Sequence, residues 1–153
     1  MDENIREEKD LIKFLKKVSI FSKLSKADLR HLRQYLYIRK FQAGEQIFKK
    51  GYPNVIFYIL KEGALKVYLE DKNEEIELNI MKPTEQLGAI GLFKDVKRTA
   101  SVKAIEDSVL LGISKKDLST FVSKFSTAGV NILYELGSNL SEHIISLNEK
   151  LYK

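Results

Sequence analysis

Leu87-Gly88-Ala89-Ile90-Gly91-Leu92-Phe93-Lys94-Asp95-Val96-Lys97-Arg98-Thr99-Ala100-Ser101-Val102 holds the densest set of structural signals in the chain. Its two glycines, Gly88 and Gly91, permit an approach of backbone to backbone, or of backbone to ligand, that a Cβ would obstruct. A short apolar turn and a charged loop follow, then Arg98, small residues and a strand-like alternation. The start of a short helix offers free amides and a guanidinium offers a planar fork of donors. Both suit a single phosphate-sized anion.

On either side of this stretch the apolar period is two. Upstream, Tyr37-Ile38-Arg39-Lys40-Phe41 alternates and runs into the turn signal Ala43-Gly44-Glu45, followed by Ile47-Phe48 and Gly51. Residues 55–60 form an unbroken apolar run with β-branched and aromatic members, as a strand buried on both faces would. Glu62-Gly63 turns the chain into Leu65, Val67 and Leu69, and Asp71-Lys72-Asn73-Glu74 makes a polar hairpin tip. Ile76, Leu78 and Ile80 mark the return strand, which Pro83 ends because it has no N–H for a ladder. Downstream, residues 101–105 and 108–113 supply two more short strands. Many short strands bounded by turns predict an α+β fold built on a small antiparallel barrel or jelly roll.

Helical periodicity flanks the strands. Apolar residues at 11, 12, 14, 15 and 18 predict an amphipathic helix. Ser25, with Asp28 three residues on, caps a second helix over about residues 26–36, with Leu29, Leu32 and Leu36 inward. Ser114 and Asp117 repeat that pattern for a helix reaching about Phe125. Residues 130–152 read as one long helix whose positions 133, 137, 140, 144, 147 and 151 form a heptad seam of Leu, Gly, Leu, Ile, Leu and Leu. Two uses of that seam are open: a partner helix, or packing on the helix's own domain. The implied organisation is a helical segment 1–36, a β-roll 37–113 with its cassette at 87–102, and C-terminal helices 114–153.

The run 87–102 resembles the phosphate-binding cassette of the cyclic-nucleotide-binding domain family, whose pattern is aliphatic-Gly-Glu-x-small-aliphatic, a loop, then Arg-Ser/Thr/Ala-Ala. Every element is present except the glutamate, which is Ala89. The segment from Ile47 to Gly63 is similar to the family's other signature, departing at Tyr52 and at Asn54, where a small residue is usual. The resemblance covers roughly residues 12–145. It implies a β-roll (double-stranded β-helix, or jelly roll) with N-terminal helices and a long C-terminal helix. It implies that Arg98 meets a cyclic phosphate, and it nominates Thr99 and the amides around Gly88, Ala89 and Ile90 beside it. In the family the missing glutamate accepts a ribose hydroxyl. Ala89 cannot, so affinity for cAMP or cGMP is expected to be about 10- to 100-fold lower, from a charged hydrogen bond of roughly 1.5–3 kcal/mol. Counting on from Arg98 as in the resembled bacterial regulators places His143 and Ile144 near the purine, while His31 reads as a surface residue. An alternative for Arg98 is an ion pair with a surface carboxylate such as Asp95.

Composition bounds the function classes. The 153 residues carry a formal net charge of +5, from 26 basic and 21 acidic residues, without a basic block that would mark a nucleic-acid surface. With no cysteine there is no disulfide, thiolate metal site or cysteine nucleophile, and the chain is expected to be cytoplasmic. Neither a signal peptide nor an apolar run long enough for a membrane span is seen. No metal-ligand cluster or Walker-type loop suggests an enzyme. The expectation is a non-enzymatic regulatory module, a homodimer through helix 130–152, acting on an unidentified protein partner. A ligand-free interaction module, or the sensor fragment of a transcription regulator, is the alternative; no DNA-binding helix-turn-helix occurs in the sequence.

Overall fold

The computed structural model describes residues 3–152 and divides into two compact units. One comprises Tyr35–Leu118; the other joins the segment up to Gln34 with the segment from Ser119 onward.

The first unit holds eight strands: β1 Tyr37–Phe41, β2 Gln46–Phe48, β3 Ile56–Glu62, β4 Leu65–Asp71, β5 Glu74–Met81, β6 Gln86–Leu87, β7 Ser101–Ala104 and β8 Ser108–Ser114. They pair antiparallel in two four-stranded sheets, ordered β1-β8-β3-β6 and β2-β7-β4-β5. This is the β-roll expected from the period-two segments. Phe41, Tyr58, Leu60 and Leu110 of one sheet meet Phe48, Leu65, Met81, Val102 and Ala104 of the other in a single apolar core. β3 is buried on both faces, because Phe57 and Ile59 are also sealed from solvent, which explains its continuous apolar run. β5 differs: it is an edge strand with a register shift opposite Val67 and Tyr68, and Ile76 and Leu78 are exposed. Between β6 and β7 lies the one-turn helix α3, Ala89–Phe93, and α4, Lys115–Lys124, leads out of this unit.

The second unit contains α1 Glu3–Lys17, a 3-10 turn at Ser19–Phe21, α2 Lys26–Arg33 and α5 Ser126–Leu151. Helix α1 starts well before the expected residue 11, because its first two turns are polar except for Ile5 and carry no periodic signal. Ser25 and Asp28 form the reciprocal capping box at the head of α2, which ends at Arg33 rather than at 36. Helix α5 starts at Ser126, four residues before the expected 130, since small residues and Gly129 hide its first turn. Its buried face is Ala128, Gly129, Ile132 and Leu136, packed on the 3-10 turn. That stripe is offset by one residue from the first heptad positions of the seam. Beyond it every residue from Ser141 to Leu151 is exposed, with Ile144, Leu147 and Leu151 among them.

Candidate anion site

Arg98 is fixed through its backbone before its side chain is considered. Its N–H donates to the Tyr52 carbonyl at 2.8 Å, its carbonyl accepts from the Gly51 N–H at 2.9 Å, and Pro53 and Lys97 form a β-bridge alongside. The guanidinium therefore has a short, pinned stem. It points into the roll and is only 6% exposed. Nη2 donates to the Ile56 carbonyl at 2.7 Å, and the group stacks over Phe48 at 4.0 Å from the ring centroid, with Tyr58 at 5.8 Å. Nε and Nη1 are buried and have no hydrogen-bond partner. The ion pair with Asp95 is not formed: Asp95 is exposed, and no salt bridge among the described residues includes Arg98. Burial pulls the Arg98 pKa below its ordinary value, and the two neighbouring tyrosines oppose that shift. A guanidinium remains protonated through the neutral range even so. The result is a desolvated cation with unused donors and no counter-ion.

Helix α3 is brought against that cation by glycine. Gly88, at φ +93°, is in the left-handed region as the N-cap of α3, and a Cβ there would stand 2.6 Å from Arg98 Nη1. A Cβ on Gly91 would fall 2.4 Å from the Asn54 carbonyl oxygen. Both glycines in the cassette are thus required by contact. Ala89 and Ile90 open the helix, so their N–H groups have no intrahelical acceptor, while the Gly91 N–H reaches back to Gly88 at 3.1 Å. Ala89 is half-buried and Ile90 exposed. Thr99 sits exposed on the bend after Arg98, not on a strand. Gly88 thus lies against Arg98, with Ala89 and Ile90 following it in α3 and Thr99 following Arg98 in the chain. His143 lies exposed on α5, in the helical unit. His31 is a surface residue, as read, and its ring stacks on Phe125 at 4.3 Å.

Sequence reasoning missed a second layer around Arg98. Tyr37 and Tyr58 share a side-chain hydrogen bond, and Arg39 Nη1 donates to the Tyr58 hydroxyl at 3.3 Å. Tyr37 faces Gly112 across the β1–β8 pair, where a Cβ would come 2.7 Å from the ring. The Tyr37 phenol is pushed up to about 12, first by burial and then by Tyr58, against the lowering effect of Arg39 and Arg98. The signal was present in the alternation Tyr37, Arg39, Phe41, which places all three on one face of β1, with Phe41 in the core. Asn54 was visible only as a departure from pattern. Its side-chain oxygen is buried without a partner, beside the same two glycines.

Comparison with known proteins follows the same lines. The family model described as cyclic nucleotide-binding domain matches residues 38–125, more than half of the chain. A putative potassium channel protein of Rhodopseudomonas palustris is 31% identical over 137 residues, covering 86% of this chain and 32% of that protein. The cAMP-dependent protein kinase regulatory subunit of Dictyostelium discoideum is 34% identical over 109 residues, covering 69% of this chain and 33% of its own length. The chain thus spans about a third of the length of these two relatives. A cyclic nucleotide-binding domain from Methylobacillus flagellatus superposes with a TM-score of 0.81 at 16% identity, over 96% of this chain and 83% of that one. At that identity the likeness speaks to the fold.

Proposed function

The chain belongs to the cyclic nucleotide-binding domain family, and from that premise we propose that it is a non-enzymatic regulatory module whose ligand is cAMP or cGMP. The observation that carries the reading is the buried Arg98 guanidinium, with Nε and Nη1 unpartnered and no salt bridge to it among the described residues. An uncompensated buried charge is costly, and an anion brought from outside relieves the cost. A cyclic phosphate supplies one negative charge and acceptor oxygens for the guanidinium, for the Ala89 and Ile90 amides, and for the Thr99 hydroxyl. Gly88 lets the phosphate come close to the backbone. Ala89 offers no acceptor to the sugar, so the ligand is held by its phosphate more than by its ribose.

His143 is assigned to the purine on the resemblance alone. Signal output follows from any difference in affinity between two arrangements of the cassette, relayed to α5. The exposed apolar positions 144, 147 and 151 of α5 suit a homodimer seam. The downstream target is then a protein, and the place of action the cytoplasm.

A ligand-free interaction module is the second reading. It is favoured by Ala89 and by the hydrogen bond that already occupies Arg98 Nη2. Isothermal titration with cAMP and cGMP separates the two. Heat and a raised melting temperature in the unaltered protein, both lost in Arg98→Gln, support the sensor. Neither effect at millimolar nucleotide leaves the interaction module.

A further inference from the structure

We infer that Asn54 sets the affinity of the anion site, its carboxamide oxygen holding Arg98 in a resting position from which an anion must win it. The inference rests on the reading of Arg98 as the phosphate-facing group. Asn54 stands where the resembled pattern has a small residue, and its side chain fills the space that the cassette glycines leave open. A Cβ on Gly91 would be 2.5 Å from Asn54 Cγ and 2.6 Å from Oδ1; one on Gly88 would be 3.1 Å from Oδ1. That same point on Gly88 is 2.6 Å from Arg98 Nη1. An acceptor and a charged donor therefore flank one glycine, each buried and each without a hydrogen-bond partner.

In so dry a place the amide dipole acts on the cation through space and not through a formed hydrogen bond. Together with the Ile56 carbonyl and the Phe48 ring, it keeps the guanidinium turned inward. An arriving phosphate has to outbid this set. With a small residue at 54, only the carbonyl and the ring would oppose it. With a carboxylate at 54, the place of the anion would be taken by the protein itself. Asn54 is in this sense a positioning residue: it acts on the ligand through Arg98.

Three variants, Asn54→Ala, Asn54→Asp and the shape-preserving Asn54→Leu, test the inference in the full chain, with cAMP as the probe. Asn54→Ala and Asn54→Leu are expected to bind cAMP about 3- to 10-fold more tightly, and Asn54→Asp at least about 10-fold more weakly. Asn54→Asp should also raise the melting temperature, but only where Arg98 is intact, a coupling read by a double-mutant cycle with Arg98→Gln. A purely structural role for Asn54 would lower stability in all three variants and leave the affinity order untouched. Affinities within about twofold of the unaltered protein in both Asn54→Ala and Asn54→Asp would overturn the inference. So would a melting shift in Asn54→Asp that ignores Arg98. If the unaltered protein binds neither nucleotide, the proposed function fails and the competition with it, whereas binding without the Arg98 coupling overturns Asn54 alone.

Discussion

Ala89→Glu is the change most informative about what the cassette lacks. Ala89 is the first helical residue of α3, directly after the left-handed Gly88 that lies against Arg98, and it is half-buried. A carboxylate there is compatible with the helix, because negative charge at a helix N-terminus is favourable by about 0.3–1 kcal/mol. Its larger effect is on ligand: one hydrogen bond from a sugar hydroxyl to a charged acceptor contributes roughly 1.5–3 kcal/mol. At about 1.4 kcal/mol per decade, cAMP affinity should rise by about 10- to 100-fold. The assay is paired titration with cAMP and with its 2′-deoxy analogue, since only the former has the hydroxyl. The expected result is a gain for cAMP and little or none for the deoxy compound. Equal gains would mean that the new charge acts at a distance. No gain at all would refute the claim that the missing sugar acceptor is what weakens the site.

Other consequences follow from contacts around the same residues. Gly91→Ala forces a Cβ to within 2.4 Å of the Asn54 carbonyl, so α3 must shift; overpacking of this kind costs about 1–3 kcal/mol. Thermal unfolding should register that loss, and cAMP binding should weaken in the same protein. Tyr37 gives a pH signature. Its phenol ionises near 10 when unfolded and near 12 when folded, so the contribution of this group to stability is complete below pH 10 and is lost as pH rises toward 12. Tyr37→Phe should flatten that part of the stability profile in chemical denaturation, and an unchanged slope would remove Tyr37 as its source. On α5, the Ile144→Glu, Leu151→Glu double change places charge on positions that are 58% and 77% exposed. Light scattering should then show a monomer, against the dimer that the proposed seam predicts for the unaltered chain, with the melting of the helical unit little changed.

How much of this could be read in the sequence depends on the kind of signal. The strands were legible because period two persists through bulges and because Gly and Pro punctuate it; residues 55–60 and 65–69 fell into β3 and β4 with boundary shifts of a residue or two. The capping box at Ser25 and the Ser114 side-chain cap of the Asp117 N–H were legible because each is a local hydrogen bond with fixed spacing. The polar half of α1 was not, since its helicity comes from propensity and not from an apolar face. The buried stripe of α5 was missed by one residue: a heptad count and a packed face of small residues compete over the same turns. Around Arg98, the cassette fixed the charge, the glycines and the helix start. It was silent on the Phe48 ring, the Ile56 carbonyl and the pair Tyr37–Tyr58, which join the site through strand register. Asn54 shows the limit plainly. As a letter it was a deviation; only coordinates place its oxygen and Arg98 Nη1 around the same Gly88 and reveal both as unpartnered.

The most direct measurement is nitrogen-detected NMR of the arginine side chains during titration with cAMP, with adenosine as the phosphate-free control. The Arg98 Nε–H, now buried without an acceptor, should shift strongly with cAMP as it gains a phosphate oxygen, and should stay in place with adenosine. A bound cAMP that leaves the Arg98 signal unmoved, or an Arg98 that responds equally to adenosine, would contradict the account.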